Sequence, residues 1–347
     1  MLRVLGVVAL LVAGCISSGA QAQTKMKLGL TRTVTIGGVL YAAEKGWFKQ
    51  VGLDVDVQFL DASASAMVLL ATNELQMVEG GLSASYFNAL QQGLPVRIGT
   101  DSVSSPTGHG LVVRADLAGT VTSLKDLKGR NVAVNAPSSI SLYELAKILE
   151  TAGMKLDDVE VKIVAFNNME AAFKSKAVDA AILVNPWVAD IPRQGLGVSL
   201  VEADAVVKPF PIVISATFYN TDWAAKNPKA MQDFYTQMIR GVRAYCDAYH
   251  HGDNRAEVSK TIIANDLAPN QEFLDKLQWT SRDANGGING DFVLDVQRWY
   301  VEQKLLPSNL PIEKLVDRQW SQAAVKALGP YEPSNKASTL KGCGRPS

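Results

Sequence analysis

From Lys27 to Val201 the chain keeps repeating one unit: a short apolar run, a turn rich in Ser, Thr or Gly, and a longer segment with apolar residues at helical spacing. Parallel strands cannot be joined by tight turns, and a helix is the usual crossover, so this alternation predicts an α/β chain. The first unit reads as a strand Met26 to Leu30, a polar turn Thr31 to Thr35, and a helix through Leu40 and Tyr41 that ends at Gly46. The second runs from Val55–Phe59 through Asp61-Ala62-Ser63 into a helix carrying Met67, Leu70 and Ala71. The third has a strand Met77–Glu79, a turn Gly80-Gly81-Leu82, and Ser83 or Ser85 to cap a helix with Phe87 and Leu90.

After a further strand at Val96–Gly99, the pattern restarts at Ser123 with a capped turn, a strand Asn131–Val134 and a long helix carrying Leu142, Leu145, Ile148 and Leu149. It continues through Val159–Val164, a helix Met169–Lys176, Ala180–Leu183 and Val198–Val201, and the restart predicts a second lobe. Beyond a strand-like run Ile212–Phe218 the chain reads as helices at Pro228–Tyr249, Arg255–Asn265, Gln271–Leu277 and Phe292–Lys304, with no strands of their own to cover. The economical arrangement returns them to the first lobe, with crossovers near Gly108–Leu111 and Lys208–Ile212 forming a hinge. Residues 24–108 and 212–330 are then lobe 1, 109–211 lobe 2, and 331–347 a C-terminal tail. A separate helical domain is the alternative.

The N-terminus adds a compartment. Arg3, an apolar run Val4–Val12 and the site Ala20-Gln21-Ala22 read as a secretory signal peptide over residues 1–22. Val12-Ala13-Gly14-Cys15 also matches a lipobox, in which case residues 1–14 are removed and Cys15 is lipidated. In an exported chain Cys246 and Cys343 either pair as a disulfide or remain free thiols. The 34 basic and 34 acidic residues balance, and Lys125, Lys128 and Arg130 are interspersed with Asp126, so no stripe for nucleic acid is present.

The run Ser123-Leu124-Lys125-Asp126-Leu127-Lys128-Gly129-Arg130-Asn131-Val132-Ala133-Val134, with Pro137-Ser138-Ser139 after it, resembles the second-lobe core of periplasmic binding proteins for nitrate, sulfonates, taurine and thiamine-pyrimidine precursors. Ala42-Ala43-Glu44-Lys45-Gly46-Trp47-Phe48 and Gly52-Leu53-Asp54-Val55 resemble the same family's first helix and second strand, and Val178-Asp179-Ala180-Ala181 with Pro186-Trp187 its later second-lobe strand and turn. The resemblance implies an α/β, bilobed type II periplasmic binding fold: two Rossmann-like lobes, a double-crossover hinge, and a helical C-terminal segment packed on lobe 1. It implies a monomer without a cofactor that captures a small, often anionic solute in the periplasm and delivers it to an inner-membrane ABC permease.

Open parallel sheets bind ligands beyond the carboxyl ends of their strands. Here those loops supply Arg32 and Thr33, Ser63, Ser83, Ser138 and Ser139, and Asn185 with Trp187, all candidate ligand contacts. Ser138 and Ser139 open the long helix, whose N-terminus favours an anion, although plain capping explains a serine there equally. Arg32 can hold an anion bidentately. Glu79, also at a strand end, either neutralises Arg32 or faces an amino group on the ligand. Trp187 either walls the cleft or packs on its own lobe, and Phe210 is open in the same way.

The same fold resembles pyrimidine-forming enzymes and desulfinases that use reactive His and Cys. His250 and His251 fall at a helix end, His109 at the first crossover and Cys246 in the helical remainder, so no catalytic pair or metal cluster is expected in the cleft. A ligand-presenting protein for a periplasmic sensor is the remaining alternative.

Overall fold

The computed structural model describes residues 23–60, 63–250, 252–334 and 343. The expected signal segment and Cys15 lie outside the described residues. Among the described residues there are ten strands: β1 Thr24–Thr31, β2 Leu53–Leu60, β3 Met77–Gly81, β4 Val96–Ser104, β5 Gly110–Arg114, β6 Asn131–Val134, β7 Glu160–Ile163, β8 Ala180–Leu183, β9 Gly197–Glu202 and β10 Val213–Asn220. They form two five-stranded sheets, ordered β2-β1-β3-β10-β4 and β7-β6-β8-β5-β9.

The sheets are mixed, whereas the alternating sequence pattern suggested parallel ones. β1 runs parallel to β2 and β3, and β6 parallel to β7 and β8. β10, however, is antiparallel to both β3 and β4, and β5 is antiparallel to both β8 and β9. These are the two strands by which the chain enters a sheet from the other lobe, so they arrive reversed. β5 was legible only as a crossover because its five residues, Gly110–Arg114, follow the first hinge segment directly.

In β1, Met26, Leu28 and Leu30 alternate onto one buried face, the period of two that a strand requires. They join the core made by the helix Pro228–His250, where Met231, Phe234, Tyr235, Met238, Ile239, Val242, Tyr245 and Cys246 form one buried stripe at helical spacing. That helix crosses the helix Gly37–Glu44 at very close range. A Cβ added at Gly241 would lie 2.3 Å from the carbonyl oxygen of Gly38, so only two glycines let the backbones meet.

The helical remainder covers the first sheet and also reaches beyond it. The helix Gln319–Leu328, which carried no clear signal in the sequence, packs on Pro228–His250. The helix Gly290–Glu302 contacts the second lobe: Phe292 and Trp299 meet Tyr143 edge-on, each with ring centres 5.6 Å apart, and Tyr143 donates a 2.7 Å hydrogen bond to Asp295. Tyr143 lies on the helix Ile140–Glu150, which buries Leu145, Ile148 and Leu149 as well. The helix Trp187–Arg193 replaces what read as a turn.

The two crossovers run side by side. Ser105 N–H donates to the carbonyl of Ile212 at 3.1 Å, and Ile212 N–H donates to Ser105 Oγ at 3.0 Å. Phe210, on the second crossover, is 49% exposed with Lys208 over its ring, and so belongs to the hinge exterior.

Cys246, near the C-terminal end of the core helix, is disulfide-bonded to Cys343, 97 positions later, with Cα atoms 4.8 Å apart. A link closing so long a loop removes much unfolded-state entropy, typically about 2–5 kcal/mol of stability. Cys343→Ser should lower the unfolding free energy measured in urea by that amount and shift the midpoint down, and dithiothreitol should bring the unmodified protein to the same midpoint. Identical midpoints with and without reductant would show that the link contributes nothing.

Candidate functional site

The carboxyl ends of β1, β3, β6 and β8 face one another across the gap between the sheets, and a cavity of about 90 Å³ lies there. The first lobe lines it with Thr31, Thr33, Thr35, Glu79 and Ser83. The second lobe supplies Asn135, Ser139, Ser141, Phe166 and Asn185. His109 enters from the first crossover and Ser215 from β10. Lobes meet around the cavity: Ala84 N–H donates to the Ser138 carbonyl at 3.1 Å, and Asn185 Nδ2 donates to the Gln278 carbonyl at 2.7 Å.

Several polar groups in this wall are already paired with one another or with neighbours. The hydroxyls of Thr33 and Thr35 bond each other at 2.5 Å, and those of Ser83 and Ser85 at 2.7 Å. His109 Nδ1 lies 3.1 Å from both oxygens of the fully buried Glu144 carboxylate, which accepts from it. Three buried atoms of the wall have no hydrogen-bond partner: Glu79 Oε1, Asn135 Oδ1 and Ser139 Oγ. Leaving such an atom unpaired costs about 1–3 kcal/mol, so these three atoms are the ones a solute gains by pairing.

Ser139 is the N-cap residue of Ile140–Glu150, yet its side chain makes no capping bond. Its hydroxyl is therefore free for a ligand beside the positive end of the helix. Ser138 lies outside the cavity wall; its backbone is left-handed, at φ 52°, and its carbonyl serves the contact to Ala84. Ser63 begins the helix Ser63–Ala71, but its side chain lies outside the described part.

Arg32 and Trp187 come together, but in an adjoining, wider opening of about 430 Å³ that shares Thr31 and Phe166 with the inner cavity. Trp187 stacks on Phe166 with ring centres 5.1 Å apart. Arg32 is exposed, lies 4.1 Å over Phe59, and donates to the Asn265 carbonyl at 3.4 Å. It does not neutralise Glu79. The cation that acts on Glu79 is Arg282, 2% exposed, whose Nη2 donates to the Thr35 carbonyl and whose guanidinium sits 4.5 Å over Tyr245.

Burial dominates at Glu79 and pushes its carboxyl up to about 7 in spite of Arg282, with Asp101 adding to the rise. Sequence reasoning missed Asn135, His109 and Arg282. Asn135 directly follows β6, so the strand-end rule could have found it; Arg282 is far from any strand and carried no local signal. Among the described residues there is no group of three or more His, Cys, Asp and Glu placed to hold a metal.

With this geometry in view, the comparisons with known proteins are informative. A model of the family described as NMT1/THI5 like matches residues 33–249. The chain belongs to that family. A Brucella abortus (strain 2308) protein named as a binding protein is 30% identical over 193 residues, 55% of this chain. The taurine-binding periplasmic protein of Escherichia coli (strain K12) is 25% identical over 203 residues, 58% of this chain. The matched segments span 57% and 61% of those relatives' own lengths.

Among solved structures, the nitrate-binding protein of Synechocystis PCC 6803 gives a TM-score of 0.73 at 16% identity, covering 89% of this chain and 90% of that one. The alkanesulfonate-binding protein of Xanthomonas axonopodis pv. citri, bound to MOPS, gives 0.70 at 16% identity, covering 86% and 100%. At these identities they show the fold: the bilobed type II periplasmic binding architecture shared by this NMT1/THI5-like chain.

The carboxyl of Glu79 ordinarily titrates at 4.5 and here at about 7, so between those values the folded state holds a proton that the unfolded state has lost. Stability therefore falls as pH rises through that window, by about 3 kcal/mol in total. Glu79→Gln, neutral throughout, should be more stable than the parent at pH 8 and lose that advantage by pH 4. Thermal unfolding of both proteins across this range measures the gap, and a gap independent of pH would refute the buried-acid assignment.

Proposed function

We propose that this chain is the periplasmic solute-binding component of an ABC importer, closing its two lobes on a small polar or anionic organic solute and presenting it to an inner-membrane permease. The observation that carries this reading is the cavity between the lobes, built jointly by both sheets and the first crossover. A space of about 90 Å³ admits about six to nine water-sized groups, which suits a compact organic acid or heterocycle of the sulfonate, carboxylate or aromatic-acid class. The NMT1/THI5-like family and the names of the taurine-, nitrate- and alkanesulfonate-binding relatives support the same role. So does the site chemistry: Cys246 and Cys343 are joined to each other in the core of the first lobe, and His109 Nδ1 is committed to Glu144, leaving binding groups in the cavity and no paired nucleophile and base.

A solute that binds only the folded chain stabilises it, by about 2.7 kcal/mol at a concentration one hundred times its Kd. Screening sulfonates, carboxylates, aromatic acids and pyrimidines by thermal shift should yield a hit that raises the unfolding temperature by several degrees. Ser139→Ala should then weaken that hit about tenfold, through loss of one hydrogen bond. Trp187→Ala should weaken it where the solute extends into the outer opening. If neither substitution changes the affinity measured by calorimetry, the site lies elsewhere.

A further inference from the structure

Among the described residues, three fully buried side-chain atoms of the inner cavity wall, two acceptors and one hydroxyl, make no hydrogen bond of good geometry: Glu79 Oε1, Asn135 Oδ1 and Ser139 Oγ. The Ser102 hydroxyl also acts on the Glu79 carboxyl. Glu79 lies mid-strand in β3 of the first lobe and is 6% exposed; Asn135 follows β6 of the second. The two oxygens thus approach the same space from opposite lobes, and both ask for a hydrogen. No Lys or Arg lines that space. The charge of Arg282 acts on Glu79 from a guanidinium held by the Thr35 carbonyl and Tyr245.

We propose that Glu79 and Asn135 form a subsite for a hydrogen-bond-donating nitrogen of the solute, an amine, ammonium or ring N–H, gripped between the lobes. This rests on the reading of the cavity as a capture site and sharpens its substrate class. The same arrangement rejects solutes without a donor. Above about pH 7, where Glu79 is ionised, a plain oxyanion such as nitrate or an alkanesulfonate leaves both acceptors unpaired and brings negative charge up to Glu79, so discrimination comes from what the wrong solute leaves undone. The helix N-terminus at Ser139 remains available for an acceptor at the other end of the solute.

The test is calorimetric titration of the full chain with matched probes that differ only in the donor: taurine against ethanesulfonate, β-alanine against propionate, 4-aminopyrimidine against pyrimidine. The nitrogen-bearing member of at least one pair should bind, at least tenfold tighter than its partner. Glu79→Leu should cost that member at least tenfold and leave the donor-free partner no weaker. Should Glu79→Leu fail to fold, Glu79→Gln serves: it keeps an acceptor oxygen, loses the charge, and should weaken an ammonium probe.

An ammonium probe needs the ionised carboxylate, so its affinity for the parent protein should fall as pH drops below about 7. Arg282, Asp101, Tyr245 and, across the cavity, His109 are the titratable groups around Glu79, and all are retained in Glu79→Gln, in which this pH dependence should disappear. A donor-free probe that binds as tightly as its partner overturns the donor subsite and leaves solute capture standing. Failure of every member of every pair to bind overturns the capture reading and this inference with it.

Discussion

The chain crosses between the sheets twice, and the rest of the architecture follows from how the second crossing ends. β10 returns into the interior of the first sheet, between β3 and β4, and pairs with both over most of its length. A return strand at an edge could fray; one paired on both sides locks both crossovers to the same sheet and sets them within hydrogen-bonding distance of each other at Ser105 and Ile212. Two crossovers held side by side in this way are the arrangement on which a hinge between the lobes would turn.

Around the cavity, desolvation is set against pairing, and desolvation is left unbalanced on purpose-shaped ground. The wall pairs its hydroxyls internally, Thr33 with Thr35 and Ser83 with Ser85, and ties His109 to Glu144. Groups satisfied in this way are rigid and cost little to keep dry. Against them stand Glu79, whose carboxyl burial pushes up to about 7, and the unpaired oxygens of Asn135 and Ser139. Arg282 lowers the cost of Glu79 without bonding to it, which keeps the carboxyl oxygen open toward the cavity.

The sheets were legible because each unit's strand and helix carry different periods, as in β1 with Met26, Leu28 and Leu30, and because the unit restarts at Ser123. The reversed strands were harder: β5 and β10 obey the same local pattern as the parallel ones, and their direction is decided by which sheet the chain has just left. At the site, Thr33, Ser83, Ser139 and Asn185 line the inner cavity because loops after strands must go there, a rule that needs only the strand assignment. Arg32 and Trp187 obeyed the rule and still landed in the outer opening, since side-chain reach and the stacking of Trp187 on Phe166 are tertiary facts. Ser138 fell out of the wall by one residue, because the left-handed turn at its backbone points the carbonyl toward Ala84.

The contacts that hold the lobes together bear on how capture is coupled to closure. Across the cavity they are few and polar, Ala84 with Ser138 and Asn185 with Gln278, each worth about 1 kcal/mol net in a site that water reaches once the lobes part. On the hinge side the aromatic contact of Tyr143 with Phe292 and Trp299, and its bond to Asp295, bury apolar surface. A solute that pairs Glu79 Oε1, Asn135 Oδ1 and Ser139 Oγ adds its own contacts to those polar bonds. It favours the closed arrangement only by the difference between its contacts there and in an open one. A cavity wall with every polar atom already satisfied would close empty and have nothing left with which to tell a loaded chain from an unloaded one.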